Sequence, residues 1–203
     1  MKFLKIELSC LVAFIICVLM SAYNLDRECE GIRQGILRLH VIAASDSAED
    51  QSIKLALRDE LLIKGAEIFS GSSSKKEAEE KLEKNISLLT EQANAFLEKR
   101  NYPYKATVSL GKSYFPTRKY ESFTLPAGKY NALRVVIGNG EGQNWWCVMF
   151  PVLCLPAAEK SKTDFDGILT EKQQKIISGE KYEIRLWIVE KWQEFQKNFI
   201  YNN

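Results

Sequence analysis

His40 is the only imidazole in the chain, and Ser45, Asp46 and Ser47 follow it closely. These types could build a hydrolytic triad, with a serine hydroxyl as nucleophile, the imidazole as base and a carboxylate to orient it. A simpler need accounts for the same residues. Ser and Asp ahead of a helix satisfy its free backbone N–H groups, and a histidine can hydrogen-bond a neighbour. A third use is contact with a partner, because sites gather where a strand runs into a helix amino end, and the N–H groups there can bind an anion. Three readings therefore stand: a triad of Ser45 or Ser47 with His40 and Asp46, a structural polar cluster, and a partner site at His40, Ser45, Asp46 and Asp50.

Other chemistries find less support. A zinc site would need Cys or carboxylate companions for His40, and the sequence has no Cys-x-x-Cys or His-x-x-x-His spacing. No metal or cofactor is expected. The glycines at 138, 140 and 142 join strand to strand, whereas a dinucleotide loop must open a helix. A net charge of +2 without clustered Lys and Arg gives no footprint for nucleic acid.

The stretch 138–154 carries most of the remaining information. A glycine-rich turn leads into Trp145, Trp146, Cys147, Val148, Met149 and Phe150. Strand neighbours alternate faces, so Trp145, Cys147 and Met149 share one side and Trp146, Val148 and Phe150 the other. Such a strand is either covered twice or presents aromatics to a partner. Trp145 and Trp146 are therefore the second candidate contact. A bend at Phe150-Pro151 and a return strand would set Cys147 opposite Cys154. A disulfide there would stabilise the fold by roughly 2.5 kcal/mol in the chain-entropy model; the alternative is two buried thiols acting as small hydrophobes.

The compartment bears on that choice. Lys2 and Lys5 precede a run without charge from Leu8 to Tyr23. A basic start and a short apolar stretch make an export signal, either cleaved near Ser21-Ala22 or kept as an anchor. Positive charge ahead of it keeps the amino end inside and sends the rest out. Residues 1–24 are thus a signal peptide or membrane anchor, 25–35 a polar stalk, and 36–203 an extracytoplasmic domain. Outside the cytoplasm a disulfide is permitted.

The elements that position these residues follow from periodicity. Residues 36–42 read as a strand with Leu37, Leu39 and Val41 on its apolar face and Arg38 and His40 on a mixed one. Ser47 and Asp50 form a variant capping box, and a helix follows to about Phe69 with Leu57 and Leu61 on its stripe. A second helix covers about 75–99, with Leu82, Ile86, Leu89, Ala93 and Phe96 inward. From Tyr104 the pattern alternates: strands are predicted at 105–110, 120–125, 130–137 and 145–150. Asn139-Gly140 signals a hairpin between the last two. A short helix is expected at 170–178, and a C-terminal amphipathic helix would carry Ile184, Ile188, Trp192, Phe195 and Phe199. Strands joined by tight turns give an α+β fold: an antiparallel sheet with two long helices packed on one face.

Several blocks together resemble the stage II sporulation protein R family. They are His40-Val41-Ile42-Ala43-Ala44-Ser45-Asp46-Ser47 with Asp50-Gln51 and Arg58-Asp59, Tyr114-Phe115-Pro116-Thr117, Phe123-Thr124-Leu125-Pro126-Ala127-Gly128, and Asn144-Trp145-Trp146-Cys147 through Cys154. The resemblance implies a signalling protein of endospore formers, exported from the forespore into the space between two membranes. There it would activate a membrane-embedded aspartic protease of the mother cell, which in turn releases the early sigma factor from its pro-sequence. It supplies no catalytic residues. An exported hydrolase using the Ser45/Ser47–His40–Asp46 cluster is the rival expectation.

Overall fold

The computed structural model describes residues 2–120, 122–151, 165, 167–179 and 191. Helix α1 spans Lys2–Gly35 and leads into β1 at Leu37–Ile42. Helices α2 (Ala48–Phe69), α3 (Lys75–Lys84) and α4 (Ile86–Glu98) come next. Strands β2 (Ala106–Phe115), β3 (Arg118–Lys119), β4 (Thr124–Leu125), β5 (Gly128–Ile137) and β6 (Asn144–Phe150) precede α5 at Glu171–Ser178. The architecture is α+β, as the change of period implies.

Four strands form one sheet in the order β2-β5-β1-β6, and β3 pairs with β4 as a separate ribbon. β1 is buried toward both sides, its Arg38 included, because it lies between β5 and β6 and is covered twice. Its Leu37, Leu39 and Val41 pack with Leu57, Leu61, Leu82, Leu89, Ala93, Leu133, Val135 and Ile137 beneath α2, α3 and α4. The opposite face buries Ile36, Phe115, Tyr130 and Val148 against Cys29 and Ile32 of α1 and Ile176 and Ile177 of α5. Cys147 and Met149 point to the three-helix side and Trp146 and Val148 to the other, as expected. Phe150 instead packs against Phe69 on the three-helix side, because the β1–β6 register shifts between Leu37 and Arg38 and breaks the alternation.

Several expectations are corrected. The β1–β5 pairing is parallel, so the sheet is mixed, whereas β1–β6 and β2–β5 are antiparallel. Asn139-Gly140 does not close a hairpin, because β1 separates β5 from β6. Gly138 and Gly140 take φ of 58° and 69°, turning the chain where an L side chain would be strained. The loop then crosses the carboxyl end of β1, held by Gly142 N–H to Ala43 O at 3.0 Å and Glu141 N–H to Ala44 O at 3.3 Å. A turn signal reports the bend and not the partner strand.

The second long helix breaks at Asn85, which leaves helical geometry at φ −109° and ψ 7° and donates its amide to Lys81 O at 2.7 Å. Residues 25–35 are not a free stalk. α1 continues through them without interruption, and its Cys29, Ile32 and Arg33 are buried at helical spacing. Their charged neighbours hid that stripe from the sequence reading. Arg33, itself buried, is neutralised by Asp26 and Glu30 and donates to Ala127 O. By contrast, Leu8, Leu11, Phe14, Ile15, Leu19 and Tyr23 are exposed, and this is a helix long and apolar enough to cross a membrane. Cys154, the polar loop near 161–164 and the C-terminal amphipathic helix lie outside the described residues.

Candidate functional site

The corner after β1 is built by short polar side chains. Ser47 is the N-cap of α2, its hydroxyl accepting from Asp50 N–H at 3.1 Å. Ser45 Oγ donates to Asp50 Oδ2 at 2.6 Å and accepts from Ser47 N–H at 3.1 Å. The Tyr102 hydroxyl donates to Asp50 Oδ1 at 2.6 Å, tying the end of the α-helical layer to this corner. The Ser45 bond, then that of Tyr102, holds the Asp50 carboxyl below the usual range. Burial, followed by the Asp50 carboxylate, pushes the Tyr102 phenol up. Asp46 faces outward and accepts from Gln143 N–H at 2.7 Å, while Lys54 reaches Gln143 O at 3.1 Å. Desolvation draws the Lys54 amine down.

His40 is elsewhere. Its Nε2 lies 2.7 Å from Asn144 Oδ1, its ring stacks with Trp146 at 5.9 Å, and Phe115 meets it edge-on at 5.8 Å. Burial lowers its pKa, opposed by the Asn144 bond and reinforced by the charges of Arg134 and Arg38. The hydrolytic triad is therefore not assembled. Ser45 spends its proton on Asp50, Ser47 caps a helix, and Asp46 takes a backbone N–H. The rival hydrolase loses its geometric basis.

What the fold does bring together is the set of candidate contact residues. In the β1–β6 register His40 lies opposite Trp146, Val41 opposite Trp145 and Ile42 opposite Asn144. His40 grips Asn144 and Asp46 grips Gln143, so the polar corner and the tryptophan strand are one continuous end of the sheet. Sequence reasoning had them as separate faces. Trp145 remains 36% exposed on the three-helix side, with the Arg58 guanidinium 4.4 Å from its ring centroid. Trp146 is half-buried on the other side, beneath Arg118 at 4.0 Å.

Sequence reasoning missed a cluster on that second side. Arg38 is 0% exposed, with its guanidinium over the rings of Phe115 at 4.1 Å and Tyr130 at 5.0 Å. Its Nε donates to Cys147 O at 3.2 Å and its Nη2 to the Tyr120 hydroxyl. Desolvation pulls its pKa down, and Arg118 adds to that. An arginine inside a strand was the available signal, but alternation alone cannot say which distant aromatics enclose it. Cys147 is buried, and its pairing with Cys154 falls outside the described residues. Cys29 is a buried free thiol whose pKa burial pushes up to about 12.

The family described as "Stage II sporulation protein R (spore_II_R)" matches residues 33–160, from the end of α1 past β6. Stage II sporulation protein R of Bacillus subtilis (strain 168) is 35% identical over 118 residues, covering 58% of this chain and 53% of that protein. The chain thus spans about half the length of this curated relative. No solved structure matches.

Proposed function

The chain belongs to the stage II sporulation protein R family, and from that premise we propose that it is an exported sporulation signal. It acts between the two membranes on a membrane-embedded aspartic protease of the mother cell. Activation of that protease leads to proteolytic maturation of the early sigma factor. The observation that carries this reading is the single end of the sheet holding His40, Ser45, Asp46, Asp50, Trp145 and Trp146 on a domain behind an apolar helix. A half-exposed Trp backed by Arg is the composition of an interface hot spot. Binding there shifts the protease toward its active form only through higher affinity for that form.

The test is co-expression in a non-sporulating bacterium of this chain, the candidate protease and its pro-sigma substrate, with and without residues 1–24. Processing is expected only with the exported chain. His40→Ala with Asp46→Ala is expected to abolish processing in a domain that still folds. Absence of processing, with all three proteins present and this one exported and folded, overturns the assignment.

Within the same reading, Cys147 and Cys154 form a disulfide that fastens the end of β6. Alkylation before reduction is expected to leave the mass of the exported chain unchanged at these positions. Two freely alkylated thiols there would reject the bridge.

A further inference from the structure

Among the described residues, several buried polar atoms that lack a hydrogen-bond partner lie on the second side of the sheet. They are Arg38 Nη1, Arg118 Nε, His40 Nδ1 and Trp146 Nε1, with Thr117 Oγ1 next to Arg118 in the chain. Their rings and cations are in mutual contact: Phe115 touches both Arg38 and His40, and Trp146 touches both His40 and Arg118. Folded proteins leave few buried polar groups unsatisfied, and each calls for an explanation. A coincidence on one patch calls for a shared one.

The chemistry of the set is directional. The arginine and indole nitrogens can only donate, and the threonine hydroxyl can donate too. His40, whose Nε2 proton goes to the Asn144 oxygen, donates from Nδ1 only in its protonated form. Charge sharpens the point. Among the described residues neither Arg38 nor Arg118 has a carboxylate partner, although this same chain gives buried Arg33 two. Aromatic faces return part of what a buried guanidinium loses on leaving water, but they carry no opposite charge. The two cations also oppose each other, since Arg118 weighs on Arg38. A water molecule could accept from these donors yet would leave both charges standing. An oxyanion would meet both needs.

We propose that Arg38, Arg118, Thr117, His40 and Trp146 form a binding site for a small oxyanion of carboxylate or phosphate size. The degree of burial restricts the ligand to that scale. Arg118 and Trp146, both half-buried, are its open side, and Arg38 is its floor. The source is either a free anion or an acidic side chain of the partner. The second source rests on the signalling reading above, because His40 and Trp146 belong to both surfaces.

The experiment uses the full chain in nonionic detergent, with inorganic phosphate and acetate titrated against chloride at constant ionic strength. A ligand that binds the folded state raises the unfolding midpoint by mass action. Phosphate or acetate is expected to raise it with saturation in the millimolar range, and Arg118→Gln is expected to lose that rise. Lys112→Gln, which removes an exposed cation on β2 that is not among the site residues, is expected to keep it. Arg38→Lys is a second variant; if it fails to fold, Arg118→Gln still decides. No rise beyond chloride, or an equal rise in Arg118→Gln, overturns the site and leaves buried water as the occupant. The sources separate in the processing assay. Loss of both anion binding and processing in Arg118→Gln assigns a partner carboxylate, whereas loss of binding alone assigns a free anion. Saturable phosphate binding in a chain that triggers no processing upholds the site and removes only the signalling reading.

Discussion

At the residue scale, His40 changes role between sequence and structure, and its titration reports the change. The imidazole is half-buried, bonded to Asn144 and near the charges of Arg38 and Arg134. Burial outweighs the Asn144 bond, so the folded pKa lies below the ordinary value of about 6.5. The sign follows from proton counting. Below about pH 6.5 the unfolded chain takes up a proton that the folded chain refuses, so stability falls as pH drops through that value. The loss levels off once pH passes below the folded pKa. Since the chain has one histidine, its imidazole proton resonance can be followed without ambiguity. Titration by NMR is expected to give a midpoint below 6.5, and urea unfolding between pH 8 and 5 to show the matching loss. His40→Gln should flatten that slope. A midpoint at or above 6.5 would place the ring in a solvated or carboxylate-paired setting and contradict the geometry. A hydrolytic base would also require a serine hydroxyl within reach, and Ser45 is turned toward Asp50.

At the element scale, the decisive feature is the crossing of the 138–143 loop over the end of β1. Gly142 sits so close to the Ser45 carbonyl that a Cβ would collide with backbone oxygen and carbon, with Ala43 also in contact. Backbone cannot yield as a flexible side chain can. Gly142→Ala is expected to destabilise the fold by about 1–3 kcal/mol, read as a lower urea midpoint at unchanged slope. Because Gln143 holds Asp46 and Asn144 holds His40, the same substitution should disturb the candidate contact surface more than the remote core. An unchanged midpoint would show that the loop does not lock β1 to β6. This crossing also marks where the sequence stopped being readable. The helix stripes through Leu57, Leu61, Leu82 and Leu89 and the alternation through Leu133, Val135 and Ile137 are local periodicities, and they reached the core as read. The insertion of β1 between β5 and β6 is a long-range choice. Asn139-Gly140 has the same local chemistry in a hairpin and in a crossing loop, so nothing in it could reveal the parallel β1–β5 pair. Arg38 was equally opaque: its enclosure depends on Phe115, Tyr120 and Tyr130, which only the folded chain brings near.

At the scale of the whole molecule, α1 joins two environments in one uninterrupted helix. Its apolar portion has mean hydropathy 2.2 over an 18-residue window with nothing of it buried in the domain. Its last turns contribute Cys29, Ile32 and Arg33 to the second face, and Glu28 meets Lys172 of α5 at 2.8 Å. The rise of about 1.5 Å per residue puts the end of α1 roughly 18 Å from Tyr23. As an anchor, this helix would hold the domain within that distance of the lipid surface, with its α5 side nearest. The two halves of α1 therefore answer differently to deletion. Removing residues 1–22 takes away side chains that are exposed from Lys5 onward, so the urea midpoint is expected to stay the same while the chain moves from the membrane to the soluble fraction. Removing residues 1–35 uncovers Ile36, Phe115, Tyr130 and Val148, and is expected to prevent cooperative unfolding altogether. A stable, cooperative domain beginning at Ile36 would mean that the end of α1 is the passive stalk its charged residues suggest. Loss of folding on removing 1–22 would instead mean that the apolar run covers part of the domain. Between those outcomes, the expected pair of results places the structural boundary inside α1, near Asn24, and makes the following turns part of the folded domain.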